Sequence, residues 1–499
     1  MRRPTLLYAI LEKRGWLRYE VFATQLANAG IRAAKHYDNP RLTRLKNVTK
    51  TTYTRWLSGS QEPRGEAATV LEFWLGHSVK ELLGPAPERE FVLARSPHDA
   101  SLAAAHNLDI LFDTSFLSVA APVPGTGGVW HLDGLRVLDG TSVSVQMYEA
   151  AREPGCVVIG REDLDHLRYF TRSTRRALVL GSLGAQGGED LYALDAAQAR
   201  RQLAMPIQRL PIPAPYRLDD VTYALLWACL NVDDSLLADD CALHEEPQGL
   251  EFHLAHSRSA AARTAYGDLS SVGSLWLGSH VCAMFVDRHL KTTDMPVMWS
   301  RTQFGEQAAA WLLFRDRHAV LQLAVDRGSG LDGTPGCVLC VPEPAVRSSE
   351  PYERLLLLLA AALMESYGLT VWVSSQQEYS ELPDFHLASH QHVVVADWLG
   401  RDAVWNVESV EGAGSADAFV QAVQQGQAQS VAGGVTPSKR IRALADYLEL
   451  GPDWVRLVER CRELGAYGTA GLMRTRTRLI HTGEIDRALK FLGALDATS

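Results

Sequence analysis

Cysteine is scarce, with seven in 499 residues, at positions 156, 229, 241, 282, 337, 340 and 461. An odd number scattered through apolar contexts does not make a secreted disulfide framework, so reduced thiols are expected. Long apolar runs are missing too. The longest, Leu355 to Met364, has ten residues, whereas a bilayer-spanning helix needs about 18 or more. It reads as a buried helix, and no membrane partner is expected. The opening MRRPTLLYAILEKRGW begins basic, but Glu12, Lys13 and Arg14 end its short apolar run with no small-residue cleavage site, which predicts a cytoplasmic protein. The chain has no G-x-S-x-G, no Walker lysine and no H-E-x-x-H, so common signatures of serine hydrolases, phosphate-loop enzymes and zinc proteases are lacking. No enzymatic activity, no cofactor and no metal are expected.

What is present is a globular composition, 46% hydrophobic and 21% charged. The length exceeds one core and predicts about two to four domains. Charge is unevenly spread. Residues 1–84 hold 14 Lys or Arg against 7 Asp or Glu, a surplus of +7, so residues 85–499 carry −16 to reach the total of −9. A basic head is what a phosphate backbone attracts, and an acidic remainder is repelled by it. Five of the eight lysines lie in the first 80 residues of a chain that otherwise uses Arg, a bias that a GC-rich bacterial genome tends to produce.

In Val48 to Pro63, VTKTTYTRWLSGSQEP, Thr49 is placed to cap a helix, its hydroxyl accepting a hydrogen bond from an orphan amide of the first turn. Lys50, Thr51, Thr52, Thr54 and Arg55 form a polar face, while Tyr53, Trp56 and Leu57, at i, i+3 and i+4, point inward together. Gly59 ends the helix where a left-handed residue is needed, and Pro63 keeps it from resuming. Taken alone, the pattern also suits an amphipathic surface helix. Its flanks are helical as well. Pro4 to Arg14 repeats Leu6, Leu7, Ile10 and Leu11, and Tyr19 to Asn28 places Phe22 and Leu26 among small alanines. Glu66 to Gly84 supplies apolar residues for two short closing helices.

These residues resemble the Cro/C1-type (XRE) helix-turn-helix family. Its recognition helix reads as cap, three polar residues, an apolar one, two polar, Trp, then Gly and, four residues on, Pro. Gly59 and Pro63 stand at that spacing, and the resemblance covers residues 1–84. It implies an all-α head that meets double-stranded DNA through Thr49, Lys50, Thr51, Thr52, Thr54 and Arg55. Lys50, Thr51 and Arg55 would reach base edges and Thr52 and Thr54 phosphates. It further implies a homodimer on a palindromic site and a transcriptional role at the bacterial nucleoid. One departure stands out. The family joins the two helices of the motif by about three or four residues, but here about twenty, AGIRAAKHYDNPRLTRLKNV, precede Thr49. They carry Arg32, Lys35, Arg41, Arg44 and Lys46, and read either as a longer helix with a basic arm or as a solvated loop.

Pro85 to Pro97 is polar and predicts a linker. The expected fold is multidomain: the helix-turn-helix head, an α/β or α+β region, and a helical C-terminus. Its segments would be 98–217, strand-rich, then 218–430, mixed α/β and a candidate sensor, then 438–499, helical. Strands are predicted in ILFDTSFLSVAAP, VWHLDGLRVLDGTSVSVQMYEA and RRALVLGSL, and at Thr370–Ser374, His392–Ala396 and Ala403–Glu408. One or two buried helices are predicted over 218–246, others in Ser274–Lys291, Gly305–Phe314 and Tyr352–Tyr367, and helix throughout Ser438–Leu495.

Beyond the head, several clusters bear on chemistry. Asp233, Asp234, Asp239, Asp240, Glu245 and Glu246 crowd one helical stretch and could hold a metal or share a proton, or could serve as caps and a solvated face. His386, His390 and His392 could chelate zinc if helical, but His392 opens an apolar strand. GTGG at 125–128 and DRGSGLDGTPG at 326–336 read as turns, lacking the strand-to-helix setting of a phosphate loop. Cys337 and Cys340 form a lone C-x-x-C in what reads as a buried strand. The layout loosely resembles long actinomycete regulators of development and secondary metabolism. Two functional classes follow. The first is a DNA-binding regulator with a large sensing or assembly region, for which a small-molecule effector is a candidate partner. The second is an enzyme of unknown reaction carrying an accessory DNA-binding head.

Overall fold

The computed structural model describes residues 5–13, 19–36, 39–44, 48–75, 79–84, 127–132, 137–138, 140–172, 176–183, 190–245, 250–267, 269–290, 297–301, 305–328, 335–399 and 403–496. The chain divides into two units, Met1–Leu93 and Ala94–Ser499. The predicted strand ILFDTSFLSVAAP and the linker from Pro85 lie outside the described residues.

The first unit is helical: α1 (Leu6–Lys13), α2 (Tyr19–His36), α3 (Lys50–Leu57), α4 (Glu66–Leu75) and α5 (Val79–Leu82). Helix α2 does not stop near Asn28. Ala29, Ala33 and Ala34 keep a buried face beyond that point, so the helix continues through the first part of the insert to His36. The Ala34 carbonyl accepts from the Asn39 amide (3.0 Å), and the Asn39 side chain accepts from the Arg41 amide (3.1 Å). A 3-10 turn, Pro40–Arg44, then drops Leu42 into the core. The side chains of Arg32, Lys35 and Arg44, and all of Lys46, lie outside the described residues, whereas Arg41 is exposed.

The second unit holds two mixed sheets among its described residues. In the first, β1 (Gly127–Leu132) and β2 (Thr141–Glu153) are antiparallel. Strand β2 then pairs in parallel with β4 (Ala177–Leu183) and antiparallel with β3 (Cys156–Ile159), and β5 (Asp190–Asp195) and β6 (Leu210–Pro213) complete the order β5-β4-β2-β3-β6. Helices α6 (Leu164–Phe170) and α7 (Ala196–Leu203) connect these strands. The predicted helical stretch 218–246 is one helix, α8 (Asp220–Glu245), of 26 residues. It is followed by α9 (Leu250–Leu254), β7 (Arg258–Ala262) and α10 (Ser271–His289).

The second sheet has the order β10-β9-β8-β11-β12-β13-β7. Strands β8 (Val297–Ser300), β9 (Gly336–Cys340) and β10 (Thr370–Ser374) run parallel, and helices fill the connections that parallel neighbours require. These are α11 (Gly305–Leu313) and α12 (Arg315–Gly328), then α13 (Glu343–Ser348) and α14 (Pro351–Ser366). Strands β11 (Phe385–Ser389), β12 (His392–Asp397) and β13 (Ala403–Glu411) are antiparallel. Helices α15 (Ala413–Ala428), α16 (Pro437–Tyr447), α17 (Trp454–Tyr467) and α18 (Gly483–Ala494) complete the chain.

Both faces of this sheet are covered, which explains why β9 is buried at every position. Cys337 and Leu339 face the main core, while Val338 and Cys340 face a smaller cluster with Ala416, Ala422 and Val423 of α15. The two cysteines therefore point to opposite faces of the sheet and remain free thiols. Helix α14 is apolar all round over Leu355–Met364 and correspondingly buried, with Glu353 accepting from the Glu350 amide (2.7 Å) at its start. One continuous hydrophobic cluster draws on 98–217, 218–430 and 438–499 alike. The expectation of helix throughout Ser438–Leu495 is corrected at 468–482, where a segment without helix runs between α17 and α18. Gly468, with φ of +90°, breaks the helical path there.

Candidate nucleic-acid interface

The side chains singled out in the first unit converge on α3. Thr49 has extended backbone (φ −73°, ψ 156°), and its Oγ1 accepts from the Thr52 amide (3.3 Å), so it is the N-cap. Its hydroxyl also pairs with that of Thr52 (2.9 Å). At the other end the Ser60 amide donates to the Arg55 carbonyl (2.9 Å) and the Gly59 amide to the Trp56 carbonyl (3.0 Å). This double bond pattern is a Schellman ending, and Gly59 takes the left-handed φ of +64° that it needs. A Cβ there would also press on Thr5 Cγ2 (3.2 Å) and the Leu83 carbonyl (3.3 Å).

The inward face is aromatic. Tyr53 and Trp56 are only 3% and 4% exposed. Phe22 of α2 stacks on Tyr53 with ring centres 4.4 Å apart and meets Trp56 edge-on at 6.4 Å. Burial, with a smaller contribution from Tyr8, pushes the Tyr53 phenol up to about 12, which keeps it neutral. The outward face carries Lys50, Thr51, Thr54 and Arg55, all exposed, with Thr49 exposed and Thr52 half-buried beside them. The hydroxyl of Thr54 donates to the Lys50 carbonyl (2.9 Å), so its proton is already committed inside the helix. A phosphate contact through that hydroxyl would have to replace this bond.

Two supporting residues were not legible as such in the sequence. Tyr19 donates its phenol to the Val48 carbonyl (2.5 Å), fixing the entry to α3, and Thr5 donates to the Leu57 carbonyl (2.8 Å), fixing its exit. Both bonds join positions far apart in the chain, so no local pattern announces them.

The other clusters resolve into structural roles. Asp233 pairs with Arg176 and accepts from the amides of Arg476 (2.8 Å) and Thr477 (2.9 Å). Asp239 accepts from the amide (3.0 Å) and hydroxyl (2.6 Å) of Ser270 at the start of α10. Glu246 and the side chain of Glu245 lie outside the described residues. His386 sits in β11, not on a helix, and burial, helped by Arg317, pushes its imidazole down to about 3. His390 is exposed in the hairpin turn, and His392 Nε2 lies 3.1 Å from Ser409 Oγ. Among the described residues no group of three or more His, Cys, Asp or Glu is placed to hold a metal ion. Residues 125–126 and 329–334 of the glycine-rich stretches lie outside the described residues. Among those that are described, no helix is long and apolar enough to cross a membrane. No family model, curated protein or solved structure matches this chain.

Proposed function

We propose that the chain is a sequence-specific, DNA-binding transcriptional regulator of the Cro/C1 (XRE) kind. In this reading the first unit reads double-stranded DNA, and the unit Ala94–Ser499 senses a small effector or assembles the protein as a homodimer at the nucleoid. One observation carries it: a capped, Gly-terminated α3 buries Tyr53 and Trp56 and leaves Lys50, Thr51 and Arg55 exposed together. Such a helix presents groups matched to the base edges of the major groove, a guanidinium for guanine acceptors and a methyl for thymine. The net charge of +7 over residues 1–84 supports it by favouring phosphate. The three exposed side chains share one surface of two helical turns, as a reading helix needs.

The test is selection of genomic fragments by the purified full-length protein, followed by footprinting at fixed salt. Arg55→Ala is expected to cost about 1–3 kcal/mol and to relax preference at one position. An unchanged footprint and affinity would sink the assignment.

A further inference from the structure

Between Glu463 and Glu484 there is no acidic residue, within a part of the chain that carries −16 overall. The segment between α17 and α18 lies here, and exposure alternates along it. Arg474, Arg476 and Arg478 are exposed, Thr475 is half-buried and Thr477 is buried. Their main chain is fixed from below. The Arg474 carbonyl accepts from Arg176 Nη1 (2.6 Å), Asp233 takes the amides of Arg476 and Thr477, and the Leu479 carbonyl accepts from Trp276 Nε1 (3.3 Å).

The three guanidinium groups stand close together in sequence and differ from those surface arginines of this unit that are neutralised. Arg152, Arg209, Arg288 and Arg347 each pair with a carboxylate. Arg474, Arg476 and Arg478 pair with none among the described residues, and Arg478 instead lies 3.0 Å from His244 Nδ1. Two carboxylates of α8 beside this segment are engaged: Asp233 as above, and Asp234 by Arg176 (3.1 Å) and the Thr141 hydroxyl. Three unpaired cations within five residues repel one another weakly in water, and a bound anion would add a favourable contact to each.

We infer that Arg474, Arg476 and Arg478 form a second nucleic-acid contact, which grips the phosphate backbone without reading bases. Arg474 and Arg476 lie in a stretch with neither helix nor strand and Arg478 in the bend at 477–479, and three exposed guanidinium groups within five residues suit several phosphates better than one small anion. Guanidinium forks match phosphate oxygens in pairs. The anchored main chain presents the row without further ordering of the backbone. The surrounding acidic charge is screened over about 8 Å at physiological salt, so at contact the local row dominates. This contact does not depend on α3 reading bases.

The full-length protein and Arg474→Gln/Arg476→Gln/Arg478→Gln are titrated against a short fluorescein-labelled duplex of random sequence, from about 50 to about 200 mM salt. The slope of log affinity against log salt is expected to fall by about 2 to 3 in the triple variant, about 0.9 for each phosphate no longer neutralised. Arg474→Gln alone, whose side chain makes no hydrogen bond or ion pair among the described residues, should lower it by about 1, so misfolding of the triple variant cannot mask the result. Arg476→Lys should keep it. An unchanged slope overturns the inference. So does a triple variant that loses self-association instead, which would assign the row to the acidic surface of a second copy. Loss of slope without any selection of specific fragments would leave this contact standing and remove the reading by α3.

Discussion

Trp56 shows what one residue decides in the first unit. Its indole lies edge-on to Phe22 and buried, with no hydrogen-bond partner for Nε1 among the described residues. The ring therefore contributes packing, not polar recognition, and sets the angle at which α3 presents its other face. Trp56→Ala should cost about 3–5 kcal/mol, enough to unfold a small helical unit whose total stability is of that order or little above. Calorimetry of the full-length variant should lose the transition of the first unit and keep that of the second. Retention of both transitions with normal DNA affinity would contradict this. The inward role of Tyr53 and Trp56 was legible from i, i+3 spacing alone. The hydroxyl of Thr54 was not, because its choice between solvent and the Lys50 carbonyl depends on rotamer rather than residue type.

Among the elements, those with strong periodicity or length were legible and those made of small residues were not. Helix α14 and strand β12 sit at their predicted places. Strand β7, RSAAA, has no apolar alternation and is held by pairing with β13. The extension of α2 is carried by alanines that signal burial weakly. The segment 468–482 differs from its helical neighbours in its four threonines and its lack of acidic residues, but what holds it is long-range and has no local pattern: the Asp195 amide to the Gly471 carbonyl (3.0 Å), and the His481 amide to the Leu313 carbonyl (2.9 Å). At its centre is Asp233, 0% exposed, which holds Arg176 and two amides. Asp233→Ala would leave the buried Arg176 guanidinium short of one carboxylate and the amides of Arg476 and Thr477 without their acceptor, a loss of about 3–5 kcal/mol. Urea unfolding should show the second unit destabilised by that amount, with the first unit unaffected. A shift below about 1 kcal/mol would mean that the segment is held by its other bonds.

At the scale of the whole molecule the division of charge bears on assembly. One head of about 80 residues is a single small module, which buries too little surface for tight specific binding on its own. On the proposed reading, two heads would pair on half-sites whose centres lie about one helical turn apart. Apart from the arginine row at 474–478, the acidic remainder is disfavoured next to DNA over long range, so that surface is free for a two-fold interface. Of the apolar helices that the sequence offers for such a contact, α14 is consumed by the core. Helix α17 buries Trp454, Leu457, Val458, Cys461 and Leu464 in the core but leaves Val455 and Tyr467 60% and 58% exposed. Sedimentation of the full-length protein should therefore show a dimer at micromolar concentration, and Val455→Glu/Tyr467→Glu should shift it toward monomer while keeping the fold. The monomeric variant should then bind a palindromic fragment with the affinity of a single half-site. A wild-type protein that stays monomeric across that range and protects only single half-sites would show that one head acts alone. The salt-dependent arginine row at 474–478 would then be left to supply the missing affinity.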